Sequence, residues 1–262
     1  MKRPVIMGIL NVTPDSFSGD GAMGRAALDR AERMVADGAD VLDIGAESTR
    51  PHAVALDADA EWARLAPILT GLALRDWRAQ VRLSVDTRHA ASAQRALDLG
   101  VDIINDVGGL ADPAMQRVLR GRRCGVVVMH ALSVPVDPSS TLPADCDVTA
   151  EILRWKQDVR AAAQAGGLDP ARLIYDPGIG FGKSATQSLE LLHSASALVA
   201  SGGSWLFGHS RKSFLKLFTH ADAADRDELT LAFSAGLAHA GVGMLRVHAV
   251  APHAALFDRL CT

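Results

Sequence analysis

Residues 81–106 read VRLSVDTRHAASAQRALDLGVDIIND, and the alternation within them decides the fold. A short run bounded by β-branched residues, 81–85, is followed at once by the polar motif Asp86-Thr87-Arg88. Residues 90–99 then read as a helix that stops at Gly100, where a residue without a Cβ supplies the left-handed conformation that closes a helix. Ile103-Ile104 opens a second strand, and Asn105-Asp106 again follows it. Two strands joined through one helix pair in parallel by a right-handed crossover.

The same unit repeats in both directions along the chain. Strand-like runs occupy 5–10, 41–44, 125–129, 173–175, 205–207 and 244–247. Their continuous apolar character suits a parallel sheet buried on both faces. Helical patterns cover 26–37, 149–164, 188–200 and 228–240, with glycines just past them at Gly38, Gly166-Gly167, Gly202-Gly203 and Gly241. About eight such units in 262 residues, 48% of them hydrophobic, predict an α/β protein, a single-domain (β/α)8 TIM barrel over residues 1–262. An open doubly wound sheet is the alternative. Residues 133–147, rich in Pro, Asp and Ser, read as a long loop after the fifth strand.

The formal net charge is −3 and the basic residues are scattered, which leaves no patch for nucleic acid. An anionic ligand therefore has to be held by local groups. No stretch approaches the roughly 20 apolar residues of a membrane span. The start, Met1-Lys-Arg-Pro-Val-Ile-Met7, lacks the apolar length and cleavage site of a secretory signal. Cys124, Cys146 and Cys261 are far apart and have no paired metal-ligand spacing. These features predict a cytoplasmic protein with neither membrane nor nucleic-acid partners.

Polar motifs fall just after the strand-like runs: Asn11-Val-Thr-Pro-Asp-Ser-Phe17, Glu47-Ser-Thr-Arg-Pro51, Asp86-Thr-Arg88, Asn105-Asp106, Met129-His130, Asp176-Pro-Gly-Ile-Gly-Phe-Gly-Lys183, Ser210-Arg-Lys-Ser213 and Arg246-Val-His248. In a barrel these strand ends converge on one mouth, where active sites sit. One such motif can be explained as a helix cap, but a set distributed over every strand cannot.

Four segments carry a resemblance. Gly8-Ile-Leu-Asn-Val-Thr-Pro-Asp-Ser-Phe-Ser18, Glu47-Ser-Thr-Arg-Pro51, Asp176-Pro-Gly-Ile-Gly-Phe-Gly-Lys183 and Ser210-Arg-Lys-Ser-Phe214 resemble the dihydropteroate synthases in sequence and order. Those pterin-binding barrels condense 6-hydroxymethyl-7,8-dihydropterin diphosphate with p-aminobenzoate, giving 7,8-dihydropteroate and diphosphate in folate biosynthesis. The resemblance runs from about residue 6 to residue 248. It implies a Mg2+-assisted transferase, a homodimer, and sensitivity to sulfonamides that mimic p-aminobenzoate.

The resemblance also implies residue roles that side-chain chemistry permits. A pterin edge offers N–H donors and a carbonyl acceptor, which suits the carboxylates of Asp86 and Asp176 and the amide of Asn105. Met129 would pack on the ring, with Lys212 and Arg246 assisting. Capping of the next helix is the plain alternative for Asp86 and for Asp106. Asn11, Thr49, Arg50, Arg246 and His248 would hold the diphosphate, and Asn11 would also reach Mg2+. A lone Arg or His at a strand end is otherwise a surface ion-pairing group.

Pro51 and Phe181 would wall the p-aminobenzoate ring. Lys212 and Ser213 would take its carboxylate, Ser213 from the start of a helix. The catalytic set is then Asn11, Asp86, Lys212, Arg246 and His248. Asp15 and Phe17 would lie on a mobile loop that closes, with residues 49–51, over the site. Phe181 between two glycines reads as an exposed loop aromatic, and Lys183 as a loop charge.

Departures from the family pattern cluster at the rim. Ala131-Leu-Ser-Val-Pro135 replaces a Met-Gln-Gly-type continuation, and the loop at 133–147 is expected to lie away from the reacting carbon. Ala249 stands where an acid usually follows His248 and could orient it. His209 precedes Ser210 where a small or apolar residue is usual, and reads as a packed neutral imidazole. Two other functions share some of these features: a catalytically silent pterin-binding paralogue, and a methyltransferase that passes a methyl group from a reduced folate to a corrinoid protein. The second needs neither a diphosphate site nor the Lys212–Ser213 pair.

Overall fold

The computed structural model describes residues 1–12, 20–47 and 55–261. The strands form where the apolar runs place them: β1 (Val5–Asn11), β2 (Val41–Gly45), β3 (Arg82–Asp86), β4 (Ile103–Asp106), β5 (Gly125–Met129), β6 (Leu173–Asp176), β7 (Ser204–Phe207) and β8 (Met244–Val247). They pair in parallel in chain order, and β8 closes on β1. The barrel is therefore the fold, and the open sheet is excluded.

Helices follow the strands as α1 (Asp20–Ala36), α2 (Ala58–Ala73), α3 (Ala90–Asp98), α4 (Pro113–Leu119), α5 (Val148–Ala165), α6 (Ala185–His193), α7 (Ala195–Ala200), α8 (Asp227–His239) and α9 (Val250–Leu260). Gly100 and Gly241, with φ of +83° and +84°, close α3 and α8 as their positions predict. The helix expected at 188–200 is divided at Ser194 into α6 and α7, and it begins earlier than its apolar pattern, at a Ser184–Gln187 capping box. The sequence carries little sign of α2. Pro67 lies inside it, and its start is marked only by Asp57, which accepts from the Ala60 N–H at 2.7 Å. Among the described residues, no helix is long and apolar enough to cross a membrane.

Alternation along the strands builds two separate cores. Outward residues such as Leu42, Ile44, Val85, Ile104, Val128, Tyr175, Trp205, Phe207 and Leu245 pack under the helices. Inward residues Met7, Val41, Ile103, Val127, Leu206 and Met244, with Ile174 against them, fill the barrel itself. Side chains on a strand repeat their direction every second residue. The next inward position toward the strand's C-terminal end is therefore Asp43 after Val41, Asn105 after Ile103 and Met129 after Val127. On the other side of the barrel it is Asp176 after Ile174, Gly208 after Leu206 and Arg246 after Met244. One step up the barrel converts a hydrocarbon plug into a polar floor.

Candidate active site

Above that floor lies a pocket of about 390 Å3, part of it open to solvent, lined by Asp86, Asn105, Met129, Asp176, Phe181, Lys212 and Arg246 together with Val107, Gly178, Ile179 and Gly208. Every residue expected to read a pterin is in this lining. Strand register sets their order: Asp86 stands beside Asn105, and Met129 beside Asp176.

Arg246 organises one wall. Its Nε donates to Asp43 Oδ2 at 2.6 Å and one terminal nitrogen donates to Asp86 Oδ2 at 2.8 Å. Asn105 Nδ2 donates to the same Asp43 oxygen at 3.1 Å. Burial works against the guanidinium charge, but Asp43 and Asp86 more than offset it and hold Arg246 firmly ionised. The reading of Arg246 as a surface ion-pairing group is excluded. Burial, opposed by Arg246 and reinforced by Asp43 and Glu61, pushes the Asp86 carboxyl up to about 7. Burial likewise raises Asp176, against a hydrogen bond from Gly178 N at 2.8 Å and the positive field of Lys212 and Arg246.

Asp43 was not anticipated, although it is fully buried and holds two of the expected residues. The available signal was a carboxylate set inside the apolar run Val41-Leu-Asp-Ile44 with no turn after it. A charge in a core strand needs a partner.

Asp86 does not cap α3, which starts after His89 without a side-chain cap, and its neighbours are engaged elsewhere. Thr87 Oγ1 donates to Glu61 at 2.7 Å, and Arg88 grips both oxygens of Glu47 at 2.9 Å. Glu47, Glu61 and His89 bring ligand atoms within 4.8 Å of one another, but Arg88 already occupies Glu47, so the cluster serves as a structural ion-pair network. Asp106 closes the turn after β4, while α4 is capped by Asp112. Asp106 accepts from Gly108 N and Leu110 N, each at 2.8 Å, and it faces away from the pocket. Burial pushes its carboxyl up to about 6.

The opposite wall corrects two expectations. Phe181 is buried, not exposed: it clusters with Val107 and Met129, and Ala131, Val134 and Val136 pack over that cluster. The loop at 133–147 therefore supports this pocket wall from behind, through Val134 and Val136. Leu142 N donates to Gly182 O at 2.9 Å and fastens the two loops together. Lys183 is not a loop charge either. It is buried, and its Nζ lies 2.8 Å from His130 Nδ1. Gly178, at φ +68°, is required here, because a Cβ would fall 1.9 Å from His130 O.

Lys212 Nζ stands 4.2 Å from the centroid of the Phe181 ring. The turn that carries it is held in place by Arg211, whose backbone is left-handed at φ +60° and whose guanidinium binds Asp227 at 2.6 and 2.7 Å. Ser213 begins a five-residue 3-10 turn (Ser213–Leu217), not the expected helix, and its side chain is exposed beside Lys212.

Asn11 ends β1 opposite Gly45, which in turn stands beside Asp86, so one strand separates the two residues. His248 lies just past β8, where Ser210 Oγ is 2.9 Å from its Nδ1 and 3.3 Å from its backbone N–H. The hydroxyl donates to Nδ1 and accepts from the amide, which puts the ring proton on Nε2. Ser210 thus does the orienting expected of the acid that Ala249 replaces. Burial, with Arg211 and Arg246 nearby, lowers His248 to about 3, so it is a neutral donor. His209 is the packed imidazole expected: fully buried, held to about 4 by burial, with Nε2 at 2.9 Å from Ser234 Oγ. Asp15, Phe17, Thr49, Arg50 and Pro51 lie outside the described residues.

The family described as pterin binding enzyme matches residues 7–248. The dihydropteroate synthase of Neisseria meningitidis serogroup C is 38% identical over 95% of this chain and 89% of its own length. A dihydropteroate synthase from Anaplasma phagocytophilum with bound 6-hydroxymethylpterin-monophosphate superposes with a TM-score of 0.91 at 34% identity, covering 100% of both chains. The Xanthomonas albilineans enzyme with 4-aminobenzoic acid gives 0.90 at 36% identity, over 99% of this chain and 92% of that one. Two archaeal relatives, 41% and 43% identical, are much longer, and the chain spans only 29% and 30% of their length.

Proposed function

This chain belongs to the pterin binding enzyme family, and we propose that it acts there as a dihydropteroate synthase, joining 6-hydroxymethyl-7,8-dihydropterin diphosphate to p-aminobenzoate. The observation that carries the reading is the pairing of Arg246 with Asp43 and Asp86 inside a pocket that also holds Asn105, Asp176 and Lys212. Carboxylates and an amide match the donors and acceptor of a pterin edge, while the cations stand ready for a leaving anion. Met129 gives the ring an apolar face.

The reaction breaks the bond between the pterin methylene carbon and the diphosphate oxygen, then forms a bond from that carbon to the amine nitrogen of p-aminobenzoate. The released electron pair stays on diphosphate, and the attacking amine gives up one proton. Arg246, the neutral Nε2–H of His248, and Asn11 stabilise the departing oxygens. Thr49 and Arg50 belong to the same diphosphate set. Phe181 and Pro51 wall the second ring, and Lys212 and Ser213 take its carboxylate. Asp15 and Phe17 belong to the loop that closes over the reactants. The chemistry calls for no nucleophilic side chain and rests on positioning and charge stabilisation.

Mg2+ fits this donor set. Asn11 offers one oxygen at the rim, and the ion is commonly completed by water and substrate phosphates. When bound, it supplies positive charge to the leaving diphosphate. A cytoplasmic homodimer is part of the same proposal and follows from the family resemblance; the half-exposed Leu217 and Phe218, the latter against Phe233 of α8, offer apolar surface for a second copy.

The test is diphosphate release from purified protein given the pterin diphosphate, p-aminobenzoate and Mg2+. Release that needs both substrates and the metal supports the reading. Tight pterin binding with no release would replace it with a silent pterin-binding paralogue.

A further inference from the structure

Lys183 is buried beneath the p-aminobenzoate side of the pocket, and no substrate contact accounts for it. Its Nζ faces three acceptors: His130 Nδ1 at 2.8 Å, Phe181 O at 2.9 Å and His130 O at 3.2 Å. An ammonium has three hydrogens, and these acceptors match them, although burial lowers Lys183 to about 7; the geometry of the three contacts is what fixes the side chain. One acceptor belongs to the loop after β6, and the other two belong to the residue that follows β5.

His130 is itself fixed to the outer layer. Its ring packs edge-on against Trp155 of α5 at 5.4 Å, and its Nε2 lies 4.0 Å from Glu151. Phe181 hangs from the other side of the clamp, its ring against Val107 and Met129 and under Lys212 Nζ. The Phe181 carbonyl therefore has its position set by a rigid outer element through one side chain.

We propose that Lys183 is a positioning residue for the second substrate: by holding the Phe181 carbonyl against His130, it fixes the Phe181 ring as the wall on which p-aminobenzoate lies. This rests on the synthase reading above. The asymmetry is what separates it from general stabilisation. The pterin readers Asp86, Asn105 and Arg246 sit across the pocket and share no bond with Lys183, whereas Met129 packs against Phe181 and Asp176 lies in the field of Lys183, so its loss acts mainly on the second substrate.

The experiment is steady-state kinetics on the full chain as Lys183→Met, Phe181→Ala and the double variant, varying each substrate separately. Lys183→Met is expected to raise KM for p-aminobenzoate roughly tenfold, equivalent to about 1.4 kcal/mol, and to leave KM for the pterin diphosphate within about twofold. With Phe181→Ala already present, adding Lys183→Met should change little, because both act through one ring. Lys183→Gln provides the same measurement if the Met variant does not fold. Equal changes in both KM values, an additive double variant, or loss of fold in both Lys183 variants would overturn the proposal and leave Lys183 a structural residue. A wild-type protein that makes no dihydropteroate would instead sink the synthase reading beneath it.

Discussion

Replacing Asp43 with asparagine measures how much of the site's order resides in one buried carboxylate. Asp43 is fully buried, and its Oδ2 receives Arg246 Nε at 2.6 Å and Asn105 Nδ2 at 3.1 Å. The asparagine keeps an acceptor oxygen and the volume but removes the charge. A hydrogen bond to a charged partner contributes about 1.5–3 kcal/mol, and a neutral one about 1 kcal/mol. Breaking a buried ion pair outright costs about 3–5 kcal/mol, but Arg246 retains Asp86 at 2.8 Å. The expected loss is therefore about 2–3 kcal/mol, or roughly 5–10 °C in Tm for a chain of this size. Asp43 also helps to hold the Asp86 carboxyl up, so the variant should shift the pH dependence of pterin binding toward lower pH. Urea unfolding at pH 7.5 and titration with 6-hydroxymethylpterin across pH 5.5–8.5 read both effects. Stability within about 0.5 kcal/mol of wild type, with an unmoved binding profile, would refute the reasoning that Asp43 sustains Arg246.

Lys212→Ala removes a cation that serves both substrates, so kcat/KM should fall at least about 100-fold, the scale of a charge-stabilising donor; near-normal turnover would contradict the assignment. Gly178→Ala meets both a backbone clash 1.9 Å from His130 O and a left-handed φ, and should cost upward of about 2 kcal/mol on urea unfolding. His209 is held at about 4, below its ordinary value near 6.5, so its neutrality costs stability as pH falls from about 6.5 to about 4. His209→Gln lacks that penalty, and its deficit against wild type should shrink between pH 7.5 and pH 5; a constant deficit would speak against it. Sulfonamides should inhibit competitively with p-aminobenzoate, and inhibition indifferent to p-aminobenzoate would count against the Phe181 pocket.

The strands were legible because each is an apolar run that ends in a polar motif, and the motif marks the mouth. Asp86, Asn105, Met129, Asp176, Lys212 and Arg246 could be found for that reason, and the pocket gathers all of them. Asp43 escaped because it precedes the strand end and so lies outside any motif. Phe181 and Lys183 were misjudged for a different reason. Their burial depends on residues 131–136 folding over them, a contact between distant loops with no local signature. Ala249 looked like a lost function because the sequence does not reveal that Ser210 reaches His248 from the neighbouring strand end.

The two-residue step that carries the barrel from its apolar plug to its polar floor also makes it intolerant of in-frame codon loss. Within β4, Ile103 and Asn105 face inward, while Ile104 and Asp106 face the helices. Deleting the codon for Ile104 would leave the composition almost unchanged but rotate everything after it by half a turn. Asn105 would then enter the hydrocarbon layer beneath the helices, and Asp106 would leave its turn for the pocket. A three-nucleotide deletion would thus remove a recognition group, a turn and a packing residue in one event. Substitutions at the same positions remove them one at a time, so the genetic record of such a barrel should be rich in replacements and nearly empty of single-residue gaps inside its strands.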